Sequence, residues 1–288
     1  MSTVKIDLSE RIRNVYFDTS IFNHLLDDPE KNQLLGLIKG KHLIVIPSIV
    51  NLCEMLMTCS SERKNKLIDL YHEIRNEFFP LKPFVWVLKE CIDAVEAGRE
   101  DFEINYPIEI SVETENICRD LKRQEGVEIE PYIQRARDFI QEVAKKEKLA
   151  DEIQYFAFIT SEKGEQILLD LFDKICPPLG IDPRLNIDSK LSIIQSPFMP
   201  WKYYLEAISY LFYRRAFPDT NYGKRSNLGY SDLEQCVYMF WAGKFIIEDD
   251  NFLDFLKRLK EIRNYETEIM NYSDFKSFLI KKSTANIE

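Results

Sequence analysis

The stretch NVYFDTSIFNHLLDD, residues 14 to 28, contains a short apolar run that stops at Asp18 before a second apolar run begins at helical spacing. A short apolar run closed by polar residues is typical of a buried strand, and apolar spacings of three and four residues are typical of a helix. We therefore predict a strand over 15 to 17 and a helix over about 20 to 27. Asp18 then ends the strand, where it either caps the helix or forms one wall of a site.

The same alternation continues in the next segments. KNQLLGLIKG, residues 31 to 40, predicts a helix that ends at a glycine, and HLIVIP, residues 42 to 47, predicts a second buried strand. Ser48 is the predicted N-cap of a helix over 49 to 56. Buried strands that alternate with helices predict a parallel sheet covered on both faces.

Strand-like runs almost vanish between about residues 60 and 218. This part of the chain instead contains serines suited to helix N-caps, glycines suited to helix C-termini, and apolar residues at helical spacing. The pattern predicts helices over residues 60 to 79, 83 to 98, 111 to 126, 130 to 148, 150 to 161, 164 to 175, 188 to 195 and 200 to 216.

The last seventy residues return to mixed character. YSDLEQCVYMFWAG, residues 230 to 243, predicts a helix; KFII predicts a strand that ends in acids; and further helical and short apolar segments follow. We predict one α/β domain, a parallel sheet between helical layers, formed by residues 1–60 and 225–288. An all-helical insertion over 61–224 makes the protein predominantly helical. Two sequential domains are less favoured, because the N-terminal part would then have only two strands.

The composition is that of a globular protein, with 45% hydrophobic and 30% charged residues among 288. No apolar run reaches the roughly 18 residues that a membrane-spanning helix needs. The first fourteen residues lack the apolar core of a signal peptide. The sequence therefore predicts a cytoplasmic protein with no membrane segment.

The six cysteines are scattered and form no C-x-x-C pair, and the chain has only three histidines. This spacing indicates neither a zinc site nor a disulfide framework. We predict buried, reduced thiols. The net charge of −10 argues against a protein whose whole surface binds nucleic acid, although it leaves room for a local basic groove.

Acidic residues recur at the edge where a parallel sheet presents its ligands. They are Asp18, Glu54, Asp232 and either Asp249 or Asp250. Each has an ordinary explanation alone, as a helix cap, a first-turn carboxylate or an exposed helical residue. Four converging carboxylates would repel one another unless cations neutralise them, and hard oxygen ligands select Mg²⁺ or Mn²⁺. Such a site suits metal-assisted hydrolysis, most naturally of a phosphodiester.

The order of these elements resembles that of the PIN-domain family of nucleases. The matching segments are VYFDTS (15 to 20), IPSIVNLCEML (46 to 56), YSDLEQCVYMFWAGKFIIEDDNF (230 to 252) and NYSDFKSFL (271 to 279). The resemblance implies a three-layer α/β/α sheet and a Mg²⁺- or Mn²⁺-dependent endoribonuclease that acts on single-stranded RNA.

Carried over residue by residue, the resemblance implies metal-binding and catalytic roles for Asp18, Glu54, Asp232 and one of Asp249 or Asp250. Thr19 or Ser20 would be a supporting hydroxyl. The chain departs from the family in two ways. A hydroxyl expected two positions before the last aspartate is missing, and 177 residues (55 to 231) separate Glu54 from Asp232, more than a compact member has.

An acidic site needs basic neighbours to attract RNA. The residues that we expect to bind substrate are Lys224, Arg225, Arg214 and Arg215, with Lys257, Arg258 and Lys260. The aromatic residues of WKYYLEAISYLFYRR, 201 to 215, are suited to stacking on bases, but their helical spacing favours core packing.

Two other functions fit the same patterns. One is a PIN-like binding module with weak or inactive acids, in which the helical insertion docks a protein partner. The other is a phosphatase with Asp18 as nucleophile, which ranks lower because it expects an aspartate where the chain has Ser20. The sequence leaves a homo-oligomer open.

Overall fold

The fold is described by a computed structural model, which covers residues 8–75, 81–99, 130–177, 180–181, 185–195, 200–216 and 230–284. The helix predicted over 111 to 126 lies outside these ranges, and so do Lys224 and Arg225.

Four strands form one parallel sheet with the order β2-β1-β3-β4. They are β1 (Asn14–Phe17), β2 (Ile44–Val45), β3 (Lys244–Ile246) and β4 (Glu268–Met270). The central strand β1 pairs with β2 through Val15 and Val45, and with β3 through Val15 and Lys244. The predicted parallel α/β sheet, with both ends of the chain contributing strands, is confirmed.

Helices account for most of the rest of the described chain, and a large helical region separates β2 from β3, as predicted. None of them is both long and apolar enough to cross a bilayer. The helices are α1 (Thr19–Asp27), α2 (Lys31–Gly40), α3 (Ile49–Leu56), α4 (Ser61–Ile74), α5 (Phe84–Glu96), α6 (Glu130–Lys146), α7 (Glu152–Ile159), α8 (Glu162–Ile175), α9 (Ile187–Gln195), α10 (Pro200–Ala216), α11 (Tyr230–Glu234), α12 (Asp250–Arg263) and α13 (Tyr272–Thr284).

Alternate side chains of each strand enter two separate cores, one on each face of the sheet. Val15 and Phe17 pack with α1 to α4 and α13, whereas Tyr16 packs with α5 to α10 and α12. The sheet is therefore the middle of three layers. The core that contains Tyr16, here called the second core, also contains Trp201 of the helical region. That region therefore packs directly on the sheet. The aromatic side chains of residues 201 to 213 are buried, which confirms the core packing that their spacing favoured.

The segment predicted as one helix over 230 to 243 has two parts. The α-helical turns of α11 end at Glu234, and a 3-10 helix follows over Gln235–Phe240. All six side chains of the 3-10 helix are buried, so the segment has no solvent face of the kind that an amphipathic pattern implies. Gly243 ends it where a Cβ atom would lie 2.3 Å from the Arg11 carbonyl oxygen, because another 3-10 helix, Leu8–Arg13, passes there.

The prediction of buried, reduced thiols is correct for only part of the cysteines. Cys91, Cys176 and Cys236 are buried free thiols, and burial raises the pKa of each. Cys59 is a free thiol but exposed, and Cys53 is disulfide-bonded, so the prediction is wrong for these two.

Candidate functional site at the carboxyl edge of the sheet

The carboxyl ends of β1, β3 and β4 lie side by side. The backbone N–H of Asp18 donates to the carbonyl oxygen of Ile246 at 2.9 Å, and that of Ile247 donates to Met270 at 3.0 Å. The chain thus leaves three neighbouring strands at one edge. In open parallel sheets this is the edge where ligands bind.

Asp18 occupies the N-cap position of α1 but does not cap it. Its backbone is extended, and its side chain accepts no capping hydrogen bond from the backbone N–H groups of the first turn. Instead the Ser20 hydroxyl donates to Oδ2 at 2.5 Å, and the Gln235 amide donates to Oδ1 at 3.2 Å. Among the described residues no lysine or arginine forms an ion pair with Asp18. Neutral donors therefore orient this half-buried carboxylate, and no described basic side chain compensates its charge.

Gln235 is only 7% exposed and is held from its other side by Tyr16. The Tyr16 hydroxyl donates to Gln235 Oε1 at 3.3 Å and lies 3.2 Å from the Ser48 hydroxyl. Because Oε1 accepts from Tyr16, the NH₂ group of the amide faces Asp18. The ring of Tyr16 is stacked between those of Tyr238 and Phe245, so this orientation is set by the core.

A second set of hydrogen bonds ties the start of α3 to the start of α1. Ser48 caps α3, as predicted, and forms a reciprocal pair with Asn51: each side-chain oxygen accepts from the other residue's backbone N–H. The Asn51 amide then donates to Thr19 Oγ1 at 3.1 Å. Thr19, directly after Asp18, is therefore fixed by a helix that begins about thirty residues later in the chain.

Two of the predicted acids raise the pKa of the same buried phenol, that of Tyr16. Burial raises the pKa of Tyr16 well above its ordinary value, and the charges of Tyr238, Asp18 and Glu54 raise it further. Tyr16 therefore stays protonated at neutral pH and remains a donor to Gln235. Glu54 lies on α3 with its side chain exposed to solvent. The charges of Asp18, at the start of α1, and of Glu54, on α3, thus both favour the protonated form of the Tyr16 hydroxyl.

The remaining predicted acids lie at the starts of α11 and α12. Asp232, in the first turn of α11, is half-buried, and its charge adds to burial in raising the pKa of the Cys236 thiol. Asp249 is the N-cap of α12, where its Oδ1 accepts from the Phe252 N–H at 2.8 Å. Asp250 is exposed in the first turn of the same helix. The capping role considered for the Asp249–Asp250 pair is therefore filled by Asp249.

Within the described part of the chain, no group of three or more His, Cys, Asp and Glu side chains lies close enough together to hold a metal ion. The residue that the 230 to 240 segment brings to Asp18 is Gln235, three positions after Asp232. Sequence reasoning missed Gln235, Asn51 and Tyr16. The one available signal was that Gln235 is the only polar residue in QCVYMF.

Most of the predicted substrate-binding residues whose side chains are described already contact other side chains. Arg214 is 7% exposed and lies over two aromatic rings of the second core, a placement that does not support a phosphate contact. Arg258 donates to Glu152 at 2.6 Å. Lys257 lies 3.9 Å from Asp274 with both side chains about half exposed, a weak pairing. Of the residues predicted to bind substrate, three have side chains outside the described part of the chain: Lys224, Arg225 and Arg215.

A groove of about 660 Å³ lies elsewhere, between α1, α2 and α4, and is lined by none of the predicted acids. Its charged side chains largely pair with one another. Arg63 donates to Asp27 at 2.7 Å, and Lys66 donates to Glu62 at 2.6 Å. The groove is therefore not part of the candidate site.

Comparison of the chain with protein-family models, curated proteins and solved structures finds no match in any of the three. Function is accordingly proposed from the sequence motifs, the side chains and their geometry.

Proposed function

We propose that this chain is a metal-dependent endoribonuclease that hydrolyses phosphodiester bonds of single-stranded RNA, with Asp18 as its central carboxylate. Support comes from the resemblance of residues 15 to 20, 46 to 56, 230 to 252 and 271 to 279 to the motifs of PIN-domain nucleases. The parallel sheet with Asp18 at its carboxyl edge is consistent with that resemblance.

The observation that carries the proposal is the use of the Asp18 carboxylate. An aspartate at an N-cap usually accepts from the backbone N–H groups of the first turn. Asp18 leaves those groups and accepts from Ser20 and Gln235 instead. A half-buried carboxylate without a cation carries an electrostatic cost that a bound divalent ion would relieve.

The acids present can satisfy a magnesium ion, because Mg²⁺ keeps several waters and often takes only one or two carboxylates together with substrate phosphates. Asp18 and Glu54 are the first choice, since their charges act on the same hydroxyl of Tyr16. Asp232 and Asp250 are further candidates, whereas Asp249 already accepts a backbone hydrogen bond. When bound, such an ion would neutralise charge on the phosphate and make water more acidic.

The side chains around Asp18 have distinct tasks in this proposal. Ser20 and Gln235 hold the two carboxylate oxygens in one orientation, and Tyr16 fixes the Gln235 amide. Pre-positioned groups of this kind spare the site from reorganising when substrate binds. Lys257 and Lys260 on α12, with Lys224 and Arg225, are the residues expected to attract the RNA backbone.

Cleavage of a labelled single-stranded RNA tests the proposal. We expect products with Mg²⁺ or Mn²⁺, none with EDTA, and a loss of cleavage in Asp18→Asn. Asp93→Asn is the matched control, because Asp93 is an exposed aspartate on α5. A chain that cuts equally well with Asp18→Asn, or that cuts in EDTA, contradicts the proposal.

A second function, a PIN-like module that binds RNA or a protein partner through its helical region without cleaving, is favoured by one observation. The neutral amide of Gln235 contacts Asp18 from the 230 to 240 segment, and Asp249 is engaged in capping. This alternative expects no products with either ion at any enzyme concentration. It also expects RNA or partner binding that Asp18→Asn does not change.

A further inference from the structure

A second polar cluster lies at the same edge of the sheet, where α13 follows β4. Tyr272 is the first residue of α13, and its ring is held at both ends. Its backbone N–H donates to Glu248 Oε2 at 3.1 Å, and its hydroxyl donates to Asp28 Oδ2 at 2.9 Å. The ring is therefore fixed before any ligand arrives.

Asp28 is itself firmly held, since its side chain is only 7% exposed. Lys276 donates to both of its oxygens, at 2.8 and 3.1 Å, and also pairs with Glu30 at 2.7 Å. Burial and the hydrogen bond to Asp28 raise the pKa of Tyr272, so the phenol remains neutral. The ring thus offers an uncharged aromatic surface.

His24, on α1, stacks on this ring. The centroids of His24 and Tyr272 are 5.5 Å apart, and the ring planes differ by 25°. One face of the imidazole is covered by Tyr272, while the His24 side chain as a whole is exposed to solvent. The pair therefore forms a short aromatic stack that ends in solvent.

The stack is close to Asp18. Strands of a sheet are about 4.8 Å apart, so the end of β4 lies roughly 10 Å from the end of β1, two strands away. His24 is on the helix that begins directly after Asp18, roughly 9 Å along its axis at about 1.5 Å per residue. A nucleotide next to a phosphate at Asp18 can therefore reach the stack.

We propose that His24 and Tyr272 form a stacking platform for an unpaired nucleobase of the RNA whose phosphate lies at Asp18. The inference rests on the proposed function, because it names how that site recognises its substrate. Aromatic side chains bind single-stranded RNA by stacking on bases, and every base presents a π-face. The neighbouring acids Asp28, Glu30 and Glu248 disfavour phosphate at this place, so the base is the part that fits.

The histidine count makes a site-specific test practical, since the chain has only three, His24, His42 and His72. NMR signals of the imidazole protons are followed while a short oligoadenylate is added to the full chain in EDTA, where no cleavage is expected. A base stacked on His24 shifts the His24 signals upfield. The His42 and His72 signals stay in place and serve as internal controls.

An abasic oligonucleotide of the same length separates base from phosphate, because it keeps the backbone and lacks the rings. We expect it to leave the His24 signals unshifted. Equal shifts of His24 with the abasic strand would overturn the platform.

Substitutions test the same stack by affinity. Tyr272→Leu should weaken oligoadenylate binding about tenfold, equal to about 1.4 kcal/mol. Tyr272→Phe keeps the ring and should retain most of the binding. His72→Ala is the matched control for His24→Ala, because both histidines are exposed.

The outcomes are distinguishable from those for nuclease activity. If the wild-type chain cleaves RNA but neither His24→Ala nor Tyr272→Leu alters RNA binding, the platform is overturned and the nuclease proposal stands. If the wild-type chain neither binds nor cleaves RNA, both are overturned. A shift confined to His24 together with weaker binding by Tyr272→Leu supports the platform.

Discussion

Two strands of this sheet are followed within three residues by an aspartate at a helix N-cap, and the two aspartates have different roles. Asp249 follows β3 and caps α12 through the Phe252 N–H. Asp18 follows β1 with a similar extended backbone, yet its oxygens accept from Ser20 and Gln235. The same local pattern therefore produces a structural cap in one place and an oriented carboxylate in the other. The difference comes from the distant residue that reaches Asp18.

The helices that follow the two strands also differ in how they are held. On α12, Arg263 forms a largely buried ion pair with Glu206 of α10, the two side chains being 18% and 5% exposed. On α1, Asp27 pairs with Arg63 of α4, but the Asp27 side chain is 60% exposed. The ion pair on the helix with the capping aspartate is largely desolvated, whereas the Asp27–Arg63 pair on the helix that follows Asp18 is exposed.

The largest effect is expected at the buried pair. Glu206→Ala removes the partner of the Arg263 guanidinium and of the Tyr265 hydroxyl, which leaves a buried charge uncompensated. We expect a loss of about 3–5 kcal/mol in the free energy of unfolding, measured by urea denaturation. The double variant Glu206→Leu with Arg263→Met should recover most of it, because the charge is removed as well. A single variant as stable as wild type would contradict this.

Asp18→Asn tests whether the β1 end is a site and not a cap. RNA cleavage should fall on the order of 100-fold or more, equal to roughly 2.7 kcal/mol of transition-state stabilisation. Because Asp18 caps nothing, we expect the stability to change by less than about 0.5 kcal/mol. Thermal unfolding and initial cleavage rates are measured on the same preparation. A drop in stability of the size expected for a lost cap would remove the distinction between Asp18 and Asp249.

Gln235→Leu removes the group that makes the β1 end different. The buried Tyr16 hydroxyl loses an acceptor and Asp18 loses a donor, so we expect about 1–3 kcal/mol of destabilisation. Gln235→Glu is the sharper variant. It places a second carboxyl group beside Asp18, and the repulsion between the two like charges should lower the free energy of unfolding more than Gln235→Leu does, measured by urea denaturation. A Gln235→Glu variant as stable as wild type would show that the contact does not persist in solution.

Asp249→Ala tests the cap directly. The loss of the hydrogen bond from the Phe252 N–H should cost about 1 kcal/mol, seen as a lower denaturation midpoint. Asp249→Ser should restore most of this, because serine is an equally good N-cap. Cleavage by the stable Asp249→Ser variant also tells whether Asp249 or Asp250 is the acid that the nuclease uses.

The smallest effect is expected at the exposed pair of α1. The hydrogen bond from Arg63 lowers the pKa of Asp27, so the folded protein binds this proton less readily than the unfolded chain does. The pair therefore stabilises the fold above the ordinary pKa of aspartate, and this contribution is lost as the pH falls through the lowered pKa. Since the pair is exposed and screened, Asp27→Asn should cost no more than about 0.5 kcal/mol at neutral pH. The difference from wild type should disappear in strongly acidic solution.

Local chemistry explains which features the sequence predicted. The short runs at Val15 to Phe17 and at Lys244 to Ile246 were recognisable as strands because both are buried on two faces. Ser48 was recognisable as a cap because capping involves residues only three positions apart. The break between Glu234 and Gln235 was not recognisable, because the apolar residues that follow it are equally compatible with a continued helix and their packing partners lie elsewhere in the chain.

The candidate site shows the same division. The sequence marked Asp18, Glu54, Asp232 and the Asp249–Asp250 pair as acids at one edge of a sheet. It did not identify Gln235 as the partner of Asp18, since the two are 217 positions apart and an amide in a helical run has no local signature. Arg214 looked available for RNA in the sequence but is buried between rings of α10 and α12.

By itself, the sequence determined the alternation of strands and helices, the parallel sheet and the placement of acids at its carboxyl edge. These follow from periodicity and capping, which act over a few residues. Only the tertiary structure decided that Asp249 caps a helix while Asp18 is held by Ser20 and Gln235. The physical reason is that a carboxylate accepts from whichever donors the fold brings near it, and the donor from Gln235 reaches Asp18 only when both cores are packed on the sheet.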